Sequence, residues 1–175
     1  IEACDWIEED LVKLLTPSLI KERPNTYTYT KAIAETLVMQ ECKSMPSAII
    51  RPSIVGATWR EPLPGWVDNF NGPPAIFASF AAGMLRTMLV KDGCTSDIIP
   101  VDTTCNFMIV SAWATWKRFS KLNLRDIKIY HCTSGQLNKL TWNRLEPIVK
   151  RSFEMYPLEV YHYQYHLLNS IQYSL

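Results

Sequence analysis

Pro24-Asn25-Thr26-Tyr27-Thr28-Tyr29-Thr30-Lys31-Ala32, followed by Ser47-Ala48-Ile49-Ile50-Arg51-Pro52-Ser53-Ile54-Val55-Gly56, is the stretch that decides the fold. Tyr27 and Lys31 stand four residues apart, so a helix stacks them on one face, about one turn apart. Ala32, Ile33, Ala34, Leu37, Val38 and Met39 continue that helix, and Asn25 or Thr26 is placed to cap it. Ser47 to Ile50 then reads as a buried strand that breaks over Arg51 to Gly56. A helix feeding a buried strand predicts an α/β fold with a parallel sheet. In such sheets ligands sit beyond the carboxyl ends of the strands, where residues 51–56 would lie.

The pair also suggests a chemistry. A free phenol is a poor acid or base near neutrality, with a pKa of about 10. An ammonium nearby favours the phenolate. Together they can pass a proton to or from a carbonyl oxygen, as hydride transfer to a carbonyl requires. The spacing is common, however, and a surface lysine beside a half-buried tyrosine would produce it equally well.

The 175 residues give room for one domain with a real core, and 47% hydrophobic with 20% charged residues is ordinary for a globular protein. A formal net charge of +1 offers no electrostatic case for nucleic acid. The five cysteines, Cys4, Cys42, Cys94, Cys105 and Cys132, form no C-x-x-C pair, and their scatter suits a reducing compartment. The six glycines are dispersed, so no glycine cluster marks a dinucleotide phosphate turn. The first residue is Ile1 and nothing there resembles a signal peptide, so the sequence is expected to begin inside a longer protein whose phosphate-binding half lies upstream.

Residues 6–20 read as an amphipathic helix, with Ile7, Leu11, Leu14 and Leu15 on one face and Glu8, Glu9 and Asp10 on the other. Residues 59–74 read as a loop punctuated by prolines and glycines but carrying Trp59, Trp66 and Phe70, the composition of a lid, a binding loop or a packed surface loop. Residues 75–90 are mostly apolar, a core helix or an apolar wall for an acyl chain, and too short to span a bilayer. Residues 96–101 are extended, Asp102 or Thr103 caps a helix through Trp116, residues 127–132 alternate like a strand, and Thr141 caps another helix. His131 reads as a strand residue. His162 and His166 have metal-compatible spacing but lack the glutamate of H-E-x-x-H, so no metal is expected.

Set side by side, these pieces resemble the fatty acyl-CoA reductases, members of the extended short-chain dehydrogenase/reductase superfamily. The resemblance rests on residues 24–32, on Ile50-Arg51-Pro52-Ser53-Ile54-Val55-Gly56-Ala57, and on Glu61-Pro62 with Pro64-Gly65-Trp66-Val67-Asp68-Asn69. Asn71-Gly72-Pro73, Ile98-Ile99-Pro100-Val101-Asp102 and Thr133-Ser134-Gly135 extend it to about residue 155. It implies the later half of a Rossmann-like, doubly wound parallel sheet over residues 1–150. The start of a helical carboxyl-terminal region, cut short, would follow over residues 151–175. It implies NADPH, a long-chain fatty acyl-CoA and two hydride transfers through an aldehyde to a fatty alcohol, serving wax and ether lipid synthesis.

By the same resemblance Tyr27 is the general acid and Lys31 binds the nicotinamide ribose. Pro52, Ser53, Ile54 and Val55 flank the nicotinamide. Trp66, Phe70, Phe77 and Phe80 belong to the two apolar segments expected to meet over the acyl chain. Location at the peroxisomal membrane, facing the cytosol, through a carboxyl-terminal segment absent here, is implied as well. The glycine-rich turn and the upstream serine of the family are missing, and residues 156–175 depart from its pattern. Two other readings stay open: an inactive fragment that cannot bind NADPH productively, and a sugar-nucleotide reductase or epimerase using the same Tyr/Lys pair. The aromatic loop and residues 75–90 favour lipid over sugar.

Overall fold

The computed structural model describes residues 6–85, 87–91 and 93–156. The chain is α/β and divides into two compact units: residues 1–49 with 114–128, and residues 50–113 with 129–175. The sequence-based boundary at residue 150 falls inside a helix, and His162, His166 and nearly all of residues 156–175 lie outside the described residues.

In the first unit, helix α1 (Glu9–Ile20) packs on helix α2 (Thr26–Glu41). Lys13 of α1 pairs with Glu9 at 2.9 Å and Asp10 at 3.5 Å, so the acidic face is the solvated face expected. Asn25 caps α2: its side-chain oxygen accepts from the Thr28 amide at 2.9 Å, satisfying one of the orphan donors of the first turn. A single 3-10 turn (Cys42–Ser44) leads from α2 into strand β1 (Ala48–Pro52). The unit is completed by the last turns of helix α4 (Val101–Lys121) and the segment after it. There Asp126 accepts a two-pronged bond from Arg118 (2.8 and 3.1 Å) and pairs with Lys128 at 2.7 Å. Lys128 first, and Arg118 after it, hold the Asp126 carboxyl below its usual range.

The second unit carries the strand ends. The strand after Ile50 does not simply break. β1 continues to Pro52, and a new strand, β2 (Ile54–Gly56), follows after Ser53 alone. The two strands take different partners: β1 pairs with β4 (Lys128–Cys132), and β2 pairs in parallel with β3 (Ile98–Pro100). The register Ile54↔Ile98, Val55↔Ile99, Gly56↔Pro100 explains the glycine, since a Cβ there would stand 2.8 Å from Ile98 Cγ2. Among the described residues of this unit, the buried apolar side chains include Phe80, Ala81, Ile99 and Cys132, with Pro73 at the start of helix α3 (Pro73–Ala81), and Thr58, Ser96, Thr104 and Ser111 are buried as well. Burying Phe80 contributes about 2–3 kcal/mol.

The apolar stretch 75–90 is a helix for only its first part. α3 ends at Ala81 because Gly83 adopts φ +70°, the left-handed conformation that closes helices, and its amide donates to Phe80 O at 2.9 Å. Residues 85 and 87–90 are not helical. Helix α4 begins at Val101, directly after β3, so Asp102 lies in its first turn rather than at its cap. Thr141 stands at the amino-terminal boundary of α5 (Trp142–Met155), but its side chain makes no capping bond. No helix among the described residues is long and apolar enough to cross a membrane.

Candidate active site

The amino-terminal end of α2 is where the sequence motif becomes geometry. Tyr27 and Lys31 share one face, and the Lys31 ammonium lies 5.7 Å from the centre of the Tyr27 ring. Tyr27 is 67% exposed, so its hydroxyl is open to an incoming oxygen. Lys31 has no carboxylate partner among the described residues, which leaves its donors available to ribose hydroxyls. The helix start is fixed on both sides: Asn25 caps it, Thr28 Oγ1 donates to Asn25 O at 2.9 Å, and Arg23 reaches Thr28 O at 3.4 Å. Tyr27 therefore sits on a rigid first turn, at the positive end of the helix, where negative charge is favoured. The shallow hollow beside α2 is lined by Arg23, Tyr29, Ala32, Ile33, Thr36 and Leu37 and does not include the motif pair.

The residues expected at the nicotinamide lie in the second unit, at the switch between β1 and β2. Ser53 is held from both neighbours: its amide donates to Cys132 O at 3.0 Å, and the Ile54 amide donates to Asp97 O at 3.0 Å. The Ser53 hydroxyl is buried and has no hydrogen-bond partner among the described residues. A buried polar atom without a partner is costly, and a carboxamide is a group that could satisfy it. Ile54 and Val55, the next two residues, are 50% and 36% exposed. The Ser53 hydroxyl and the apolar side chains of Ile54 and Val55 fit a nicotinamide.

Of the four aromatic residues expected around an acyl chain, Phe70 and Trp66 are exposed, Phe77 is half-buried, and Phe80 is buried as a core residue. The loop that carries Trp66 is built by contacts the sequence did not reveal. Asp102 accepts from the backbone amides of Trp59 (3.0 Å), Arg60 (2.9 Å) and Glu61 (3.3 Å), across more than forty residues of chain. Those bonds, Trp59 first and Arg60 next, push its carboxyl down to about 2. Thr58 closes the other side: its hydroxyl donates to Leu63 O and accepts from the Trp66 amide. Asp97 does similar work elsewhere, accepting from the Ser134 amide at 3.0 Å and its hydroxyl at 3.2 Å. Neither role has a local signal, because both partners are distant in sequence. Among the described residues no cluster of three or more His, Cys, Asp or Glu could hold a metal ion.

The NAD-binding family model described as "Male sterility protein" matches residues 3–108, more than half of the chain and the part that carries Tyr27, Lys31 and Ser53. The chain belongs to this family. The NAD-binding description of the family points to a nicotinamide cofactor. The chain is also similar to fatty acyl-CoA reductase 1 of Gallus gallus, 46% identical over 160 residues. Fatty acyl-CoA reductase 1 of Homo sapiens is 44% identical over 160 residues and fatty acyl-CoA reductase 2 of Homo sapiens 43% over 159. In each case the match covers 91% of this chain and 30% of the relative, so the chain spans about a third of the relatives' length. The resemblance read from the motifs is borne out along nearly the whole chain.

Proposed function

We propose that this chain is part of an NADPH-dependent, alcohol-forming fatty acyl-CoA reductase that reduces a long-chain acyl-CoA to the alcohol through the aldehyde. The observation that carries the proposal is the Tyr27/Lys31 pair, fixed on the capped start of α2 within the segment that matches an NAD-binding family. The names of the similar proteins support the acyl-CoA substrate.

The nicotinamide supplies hydride when bound. This chain's residues do the rest. Lys31, whose ammonium stands 5.7 Å from the centre of the Tyr27 ring, would donate to the ribose. Ser53 offers its unpartnered hydroxyl to the carboxamide, with Pro52, Ile54 and Val55 around it. Tyr27 gives its proton to the carbonyl oxygen in the aldehyde-to-alcohol step. In the thioester step the leaving CoA thiolate takes up a proton. Over both steps one acyl-CoA, two NADPH and two protons give one alcohol, one CoA and two NADP⁺. Trp66, Phe70 and Phe77 offer apolar surface to the acyl chain, whereas Phe80 is buried.

The test is the complete protein carrying Tyr27→Phe. Alcohol formation is expected to fall by about 10²–10⁴-fold, the usual worth of general acid help, with NADPH affinity nearly unchanged. Near-normal turnover would remove Tyr27 from the mechanism. Placement at the peroxisomal membrane, facing the cytosol, and supply of wax and ether lipid synthesis rest on the motif resemblance. A fluorescent fusion of the complete protein that fails to coincide with a peroxisomal marker would contradict that placement.

A further inference from the structure

We infer that Trp59 and Arg60 form the recognition point for the phosphorylated adenosine of coenzyme A, an inference that rests on the acyl-CoA reductase reading above. The Arg60 guanidinium lies over the Trp59 ring, 4.2 Å from its centre. Trp59 is 62% exposed, and Arg60 is exposed with no carboxylate partner among the described residues. The pair thus sets an exposed cation without a carboxylate partner against an exposed indole. Contact with the indole uses one side of the guanidinium and leaves N–H donors for a further partner. A guanidinium fork suits phosphate, and the indole suits a purine ring.

The backbone beneath the pair is rigid. Trp59 and Arg60 donate their amides to Asp102, and Thr58 ties the next turn through Leu63 and Trp66. The cation is therefore presented from a fixed support, which lowers the ordering cost of binding. The same loop carries Trp66 and Phe70, apolar and exposed, a few residues further along. A ligand with a phosphorylated nucleotide at one end and an alkyl chain at the other matches both ends of this loop. Phosphorylated adenosine is shared by coenzyme A and NADPH, so the two sources must be separated by experiment.

The experiment uses the complete protein and three variants: Arg60→Ala, Arg60→Lys and Trp59→Ala. Turnover is measured with hexadecanoyl-CoA and with the hexadecanoyl thioester of N-acetylcysteamine, which lacks the nucleotide. Binding of CoA and of NADPH is measured by calorimetry. Arg60→Ala is expected to raise the KM for hexadecanoyl-CoA and the Kd for CoA by about 10- to 100-fold, the worth of a charged hydrogen bond. The kcat, the KM for the short thioester and the Kd for NADPH should move by less than about twofold. Arg60→Lys should recover part of the CoA affinity, since charge remains but the fork is lost. Trp59→Ala should weaken CoA binding in the same direction. A loss shared equally by both thioesters, or confined to NADPH, would overturn the inference. So would unchanged CoA affinity in Arg60→Ala. A wild-type protein that binds CoA but reduces neither thioester would overturn the reductase reading and this inference with it.

Discussion

Tyr27 shows how much a single residue depends on its surroundings. Its spacing from Lys31 was legible, because helical periodicity is local and Asn25 supplies the cap that starts the helix in register. The role of Asp102 was not legible, because three amides reach it from a loop more than forty residues away. That role gives a pH prediction. Its carboxyl has a lower pKa folded, about 2, than the ordinary value of 3.8, so ionised Asp102 stabilises the fold above about pH 4. The contribution is lost as pH falls through about 2. Asp102→Asn should therefore be less stable than the unchanged chain at neutral pH, and the gap should close between about pH 4 and pH 2. Thermal melts at stepped pH check this, and a gap that widens toward acid would contradict it. Gly56→Ala is a second residue-scale case. The added Cβ would stand 2.8 Å from Ile98 Cγ2, so a loss of about 1–3 kcal/mol is expected in denaturant melts.

At the scale of elements, sequence and structure agree where an element is set by its own residues. Helix α2, the strand at β1 and the strand at β4 all follow from local pattern. They diverge where one residue ends an element or redirects it. Ser53 separates two strands that take different partners, which no periodicity over residues 47–56 encodes. Gly83 stops α3 far short of the end of its apolar run, because a left-handed residue closes the helix while the hydropathy stays high. Replacing Gly83 by Ala should cost about 1–2 kcal/mol, since an L residue is strained at φ +70°. Asn25→Ala should cost about 1 kcal/mol and loosen the first turn that carries Tyr27. Faster amide exchange at Thr28 is the readout, and unchanged exchange would show that the cap does not hold the site. The exposed aromatic loop has its own test. Phe70→Ser, at an exposed position, should raise KM for long acyl chains more than for short ones, whereas Phe80, buried in the core, would report on stability instead.

At the scale of the whole molecule, the α/β class and the family were both legible, because they rest on the segments around Tyr27 and Ser53. The two-unit division was not, since each unit joins segments distant in sequence. The 175-residue chain carries no clustered glycines to meet a pyrophosphate. By itself it is expected to bind NADPH weakly or not at all, and calorimetry showing micromolar binding would contradict that. The central claim is that the complete protein delivers two hydrides to one acyl carbon. The most direct measurement supplies NADPH deuterated at the transferred position together with hexadecanoyl-CoA and weighs the product by mass spectrometry. The account predicts hexadecanol carrying two deuterium atoms on C1. Hexadecanol without deuterium on C1, or an acyl-CoA left unreduced by the complete protein, would contradict it.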